Sequence, residues 1–133
     1  MRFRDVPDRS GATITGVRVL VVDDHESFRR LAMRLLVEAG FVVVGEAADG
    51  AGALREVERV RPDVVLLDVV LPDGSGLAVA RQIASSRGAP RVVLISSRGR
   101  SDFGDSFAWP PGCRFLPKHE FTASRLEAAL RQP

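Results

Sequence analysis

The sequence is poor in cysteine, poorer still in lysine for its charge, and free of long apolar runs. Cys113 is the single cysteine in 133 residues, which excludes a disulfide framework within the chain. No apolar stretch approaches the roughly 18 residues that a membrane span requires. The opening Met1-Arg2-Phe3-Arg4-Asp5 carries charge with no apolar stretch behind it, so a signal peptide is not expected and the expected location is the cytoplasm. No Gly-rich loop leads into Lys-Ser or Lys-Thr, which disfavours a P-loop nucleotide enzyme. An excess of one charge is missing too. Nineteen basic residues face 17 acidic ones, for a net charge of +2. Such a balance reads as a mixed solvated surface, and direct nucleic-acid binding by the chain is not expected. Of the 19 basic residues, 18 are arginine, and Lys118 is the exception.

What is present fits one soluble globular domain. Hydrophobic residues make up 45% and charged residues 27%, and a chain of this length buries a core without staples. Residues 1–16 hold Pro7, Gly11 and Gly16 with no period and are expected to form a flexible leader. Residues 17–133 form the expected domain, and no second domain is expected after the last helix. Short aliphatic runs recur: Val17-Arg18-Val19-Leu20-Val21-Val22, Phe41-Val42-Val43-Val44, Val64-Val65-Leu66-Leu67, Val92-Val93-Leu94-Ile95, and Cys113-Arg114-Phe115-Leu116. Near-continuous apolar runs suit strands of a parallel sheet buried on both faces. Helical periods separate them. Phe28, Leu31, Ala32, Leu35, Leu36 and Ala39 form the first, with Gly40 as its stop. Asp49 and Ser75 are N-cap candidates for the second and third, and Thr122 or Ser124 for the last. The fourth of five helices falls among glycines and prolines between Ser97 and Gly112 and is expected to be short or irregular. The pattern predicts an α/β fold: a doubly wound, five-stranded parallel sheet of (βα)5, flavodoxin-like type.

In such a sheet ligands bind beyond the C-terminal strand ends. Those ends carry Asp23-Asp24, Asp68, Ser96-Ser97 and the lone Lys118. Three aspartates and one lysine sum to −3 + 1 = −2. A hard divalent cation such as Mg²⁺ would neutralise that charge and leave positions for phosphate and water. One aspartate then remains to act as a nucleophile towards phosphorus, with the metal, Lys118 and the Ser96 hydroxyl stabilising the phosphoryl group. Each motif alone reads as a turn, a cap or a loop. Together, at one sheet edge, they read as a site.

The motifs Val21-Val22-Asp23-Asp24, Leu67-Asp68-Val69-Val70-Leu71-Pro72-Asp73-Gly74, Ile95-Ser96-Ser97 and Phe115-Leu116-Pro117-Lys118 carry a resemblance. From about Val17 to Gln132 the chain resembles the receiver domain of bacterial response regulators. The proline before the lysine is similar to receivers of regulators with LuxR-type helix-turn-helix output domains. The resemblance implies that Asp68 is the phosphoacceptor, with Asp24 a direct Mg²⁺ ligand, Asp23 acting partly through water, and the Val70 carbonyl completing the set with Asp68. It implies that Lys118 contacts phosphoryl oxygens. Ser96 and Phe115 match the switch positions, where the hydroxyl moves towards the phosphoryl group and the aromatic turns inward. The implied partner is a histidine kinase or phosphotransfer protein, docking at the first helix.

Several alternatives remain open. The same fold can serve as a phosphorylation-independent interaction module, or the chain can be the receiver fragment of a longer DNA-binding regulator. A turnover enzyme is not expected. An aspartate-nucleophile phosphatase needs a second carboxylate two residues after the nucleophile, where this chain has Val70. A monomer or weak homodimer is expected, since the degraded fourth helix removes a common dimer surface. Met33, His25, Arg29 and Arg30 fall away from the apolar stripe of the first helix and are expected to form its outer, docking face. His25 and His119 lack partners at metal-ligand spacing and are expected at the surface or the rim of the site, Cys113 as a small buried hydrophobe.

Overall fold

The structure, a computed structural model, describes residues 15–98, 110 and 112–132. Nearly all of the expected leader lies outside the described residues. So does 99–109, where the fourth of the five helices is expected, and Trp109 with it.

The elements follow in the order β1 (Arg18–Val22), α1 (Glu26–Glu38), β2 (Val42–Ala47), α2 (Gly50–Val60), β3 (Val64–Asp68), β4 (Val70–Leu71), β5 (Gly74–Ser75), α3 (Gly76–Ala84), β6 (Arg91–Ser96), β7 (Arg114–Pro117), a 3₁₀ turn (Lys118–Glu120) and α4 (Ala123–Arg131). Five strands pair in parallel in the order β2-β1-β3-β6-β7. This is the doubly wound, flavodoxin-like sheet. The chain moves outward from β1 to β2, then returns past β1 to place β3 on its other side. The order therefore reverses between β1 and β3, which opens a crevice at their C-terminal ends.

The strand sequences explain the layers. Side chains alternate between faces with period two. Val19, Val21, Leu66, Val93 and Ile95 meet Ala32 and Leu36 of α1 and Leu126 and Leu130 of α4. Leu20, Val22, Val65, Leu67 and Leu94 face the other way, against Ala53 of α2 and Leu77, Ala80 and Ile83 of α3. The central strand β3 is buried along its whole length, aspartate included, whereas the edge strand β2 leaves Val42 exposed. No helix among the described residues is long and apolar enough to cross a membrane.

Three helices start on the side chains expected of them. Asp49 accepts from the Gly52 amide at 2.7 Å, Ser75 from Leu77 at 3.1 Å, and Thr122, rather than Ser124, from Arg125 at 3.0 Å. A cap of this kind contributes about 1 kcal/mol. Gly40, at φ 103°, closes α1 in a conformation that disfavours a side chain.

The structure corrects the reading of α1. Leu31, expected in the core, is 41% exposed. Met33, expected on the outer face, packs against the core with Phe28, Leu35 and Ala39. The buried stripe centres on Ala32 and Leu36, and a step of one residue turns a side chain by about 100°. Two small elements were not legible in the sequence: the β4–β5 hairpin and the 3₁₀ turn that begins at Lys118.

Candidate functional site

Strand pairing assembles the site. Val22 of β1 pairs with Leu67 of β3, so the next residues, Asp23 and Asp68, emerge side by side. The Asp23 amide donates to the Ala47 carbonyl at 3.0 Å, which ties the turn to the end of β2. Asp23 and Asp68 are 0% and 3% exposed, while Asp24 is open to solvent. Lys118 follows β7 and reaches across the end of β6. Its ammonium lies 2.6 Å from Asp23 Oδ2 and 3.0 Å from Asp68 Oδ2. The Phe28 ring of α1 stands 5.0 Å from the same nitrogen and meets Phe121 edge-on, so an aromatic pair backs the lysine.

The charges perturb one another. Burial pushes the Asp68 carboxyl up from its ordinary value, and the Asp23 charge adds to this; the Val70 amide and Lys118 pull it back only in part. Burial opposes the Lys118 ammonium, but Asp23 and Asp68 outweigh it and hold the lysine above its ordinary value. Counted formally, three carboxylates face one ammonium in the cluster. Asp23 Oδ2 is fully buried without a hydrogen-bond partner; the ammonium balances its charge without closing a bond of favourable angle. Ligand atoms of Asp23, Asp24, His25 and Asp68 all lie within 4.8 Å of one another. An oxygen-rich, electronegative cluster with an unsatisfied buried oxygen fits a divalent cation of the magnesium type.

The other expected residues surround this cluster. Ser96 is 1% exposed at the end of β6, one residue past Ile95, which pairs with Asp68. Its Oγ accepts from the Arg98 amide at 3.0 Å. Phe115 pairs with Leu94 and lies half-buried against the α2–α3 layer of the core. Val70 is 56% exposed, and its amide donates to Asp68 Oδ1 at 3.0 Å. Cys113 is half-buried, and His119 sits at the surface beside Glu120.

His25 is placed differently from the sequence reading, which gave it no metal-spaced partners. Its Nδ1 lies 3.2 Å from Asp23 Oδ1 and 3.3 Å from Asp24 Oδ1. The turn between β1 and α1 folds the ring back over the carboxylates it follows.

Three supporting residues were missed. Arg29, expected on the outer face of α1, turns inward. It donates to the Asp23 carbonyl at 2.6 Å and to Glu46 Oε1 at 2.7 Å, anchoring the acidic turn to the end of β2. Asp73, at the tip of the β4–β5 hairpin, accepts from the Gly50 and Ala51 amides at 2.8 and 3.0 Å. Those amides hold its carboxyl below the ordinary range, as the positive end of α2 favours an anion. Gly76 lets the start of α3 press on β3. A Cβ there would stand 1.9 Å from the Asp68 carbonyl oxygen. Only the Asp73-Gly74-Ser75-Gly76 run, rich in turn residues, hints at the last two in the sequence.

Comparison with known proteins agrees with this geometry. Residues 19–131 match the response regulator receiver domain. The chain is 48% identical over 87 residues to protein-glutamate methylesterase/protein-glutamine glutaminase 5 of Myxococcus xanthus, a match that covers 65% of this chain and 25% of that protein. It spans about half or less of the length of the first curated relatives it matches. Among solved structures, the signal receiver domain of NarL from Mycobacterium tuberculosis superposes with a TM-score of 0.69 at 33% identity, covering 89% of this chain and 99% of that one. A two-component response regulator of the LuxR family from Aurantimonas gives 0.71 at 29%, covering 87% and 86%. A family match over residues 19–131, together with the fold shared with the receiver structures, places this protein in the response regulator receiver domain family of two-component signalling.

Proposed function

We propose that the protein is a phosphoacceptor receiver, which takes a phosphoryl group from a histidine kinase or phosphotransfer protein onto Asp68. A carboxylate oxygen of Asp68 attacks phosphorus. The bond from phosphorus to the donor's imidazole nitrogen breaks, and its electron pair returns to the imidazole, which takes up a proton. Asp23, Asp24, Asp68 and the Val70 carbonyl would hold Mg²⁺, which supplies positive charge against the phosphoryl oxygens when bound. Lys118 keeps Asp68 in position before transfer and offsets phosphoryl charge after it. Ser96 and Phe115 form the switch: the Ser96 hydroxyl leaves the Arg98 amide for a phosphoryl oxygen, and Phe115 fills the space it vacates. Residues 17–133 are the signalling unit in this reading. The likeness to a LuxR-family receiver supports a place in a longer DNA-binding regulator.

One observation carries the proposal. A single lysine, in a chain that otherwise uses arginine, bridges two buried aspartates next to a third. Intact mass after incubation with acetyl phosphate tests it. A gain of one phosphoryl group is expected with Mg²⁺, none with chelator, and none in Asp68→Asn. Phosphorylation that survives in Asp68→Asn would overturn the assignment. No gain from either acetyl phosphate or a set of phosphorylated histidine kinases would favour a phosphorylation-independent interaction module.

A further inference from the structure

We propose that His25 supplies a nitrogen ligand to the acidic centre, so that the centre takes first-row transition ions such as Mn²⁺ and Ni²⁺ as well as Mg²⁺. The inference rests on the reading above, because it needs a working metal site at Asp23 and Asp24.

The argument begins with a helix that lacks its cap. His25 occupies the N-cap position of α1, yet its side chain makes no hydrogen bond to the helix. Histidine is a poor substitute for the Ser, Thr, Asp or Asn that normally fills this place. Here the ring turns the other way, over the two carboxylates that precede it. The turn is held by the His25 amide, which donates to Asp23 Oδ1 at 2.8 Å.

The distances have the scale of a coordination shell. Neighbouring ligands of an octahedral ion with bonds near 2.1 Å lie about √2 times as far apart, or roughly 3.0 Å. Nδ1 stands 3.2 Å from Asp23 Oδ1 and 3.3 Å from Asp24 Oδ1. The carboxylates also carry contacts within the protein, which leave lone pairs for an ion. Lys118 holds the Oδ2 atoms of Asp23 and Asp68, and the Val70 amide donates to Asp68 Oδ1. One ligand atom each of Asp23, Asp24, His25 and Asp68 lies within 4.8 Å of the others, and the Lys118 ammonium stands 3.4 Å from Nδ1. The imidazole side chain is 66% exposed, which leaves an open path for an ion and its water.

Donor type sets the preference. Oxygen ligands suit Mg²⁺, whereas imidazole strengthens binding along the series from Mn²⁺ to Ni²⁺. Removing His25 is therefore expected to separate the ions by affinity. Calorimetric titration of the full chain with NiCl₂ and MgCl₂ reads this. His25→Ala and His25→Gln should each weaken Ni²⁺ binding by about tenfold or more while Mg²⁺ affinity stays within about twofold. His119→Ala, which alters the only other histidine, should leave both unchanged. Pulsed electron paramagnetic resonance of the Mn²⁺-loaded protein should show nitrogen coupling that disappears in His25→Ala. Equal Ni²⁺ affinity in wild type and His25→Ala, or a Mn²⁺ signal without nitrogen coupling, would overturn the inference and leave the receiver reading intact. A chain that binds neither ion would overturn both.

Discussion

Replacing Lys118 with methionine isolates the electrostatics of the site, because it keeps the length of the side chain and removes its charge. At an effective dielectric constant of about 20, contacts of 2.6 and 3.0 Å are each worth about 6 kcal/mol before solvation is counted. Desolvation offsets several kcal/mol for each ion. The net effect of removing one partner from a buried pair is about 3–5 kcal/mol, chiefly because the other charge is left buried and unbalanced. Here two carboxylates are left, Asp23 fully buried and Asp68 nearly so. Lys118→Met should therefore lose stability at the upper part of that range at neutral pH. Urea unfolding followed by circular dichroism, in chelator, measures it. Two further arms check the cause. Mg²⁺ should narrow the gap to wild type, since a ligand at a hundred times its Kd stabilises by about 2.7 kcal/mol and the variant has more charge to neutralise. Adding Asp68→Asn should restore part of the lost stability, because it removes one of the opposed charges. A loss under about 1 kcal/mol, or a double variant weaker than Lys118→Met alone, would refute this account of the cluster.

Two other perturbations follow from the supporting residues. Gly76→Ala should cost about 1–3 kcal/mol or more through overpacking, because its Cβ meets the Asp68 carbonyl oxygen at 1.9 Å; thermal unfolding measures the loss, and an unchanged melting temperature would show that α3 does not press on β3. Asp73→Ala should destabilise the protein at neutral pH by releasing two α2 amides. The Asp73 carboxyl is held below its ordinary value, so its contribution is present above the unfolded-state value and fades as pH falls through the folded one. Chemical unfolding at a series of pH values should show wild type and variant converging below about pH 4.

The sequence made the sheet legible because β1, β3 and β6 are buried on both faces and so read as unbroken aliphatic runs. It made the site legible for the same reason: the polar residues Asp23, Asp68 and Ser96 interrupt apolar runs at their ends. The caps Asp49 and Ser75 were visible because capping is local. What escaped depends on partners distant in sequence. Arg29 reads as an outward residue until Glu46 and the Asp23 carbonyl are brought beside it. Asp73 reads as a turn residue until α2 arrives, 22 and 23 residues away in sequence. His25 has no partner by helical or metal spacing, since its partners are its immediate neighbours and only the bend of the turn brings the ring back to them. The centre of the α1 stripe, Ala32 and Leu36, was read correctly, but its flanks were not: Leu31 lies outside it and Met33 within.

The placement of β7 has a consequence for how the protein comes together. Asp23, Asp24 and Asp68 belong to adjacent strands, but their counter-charge arrives from a strand two places beyond β3, on the far side of β6. A chain that had paired only β2, β1 and β3 would already have gathered the carboxylates, with Lys118 still unattached. The pairing of β7 with β6 is thus what brings a positive charge to those carboxylates. The final strand gains an attraction that earlier pairings lack, and the cost of ordering a contact so remote in sequence is set against it. A sheet lacking β7 would hold the acids of the site without the residue that bridges them.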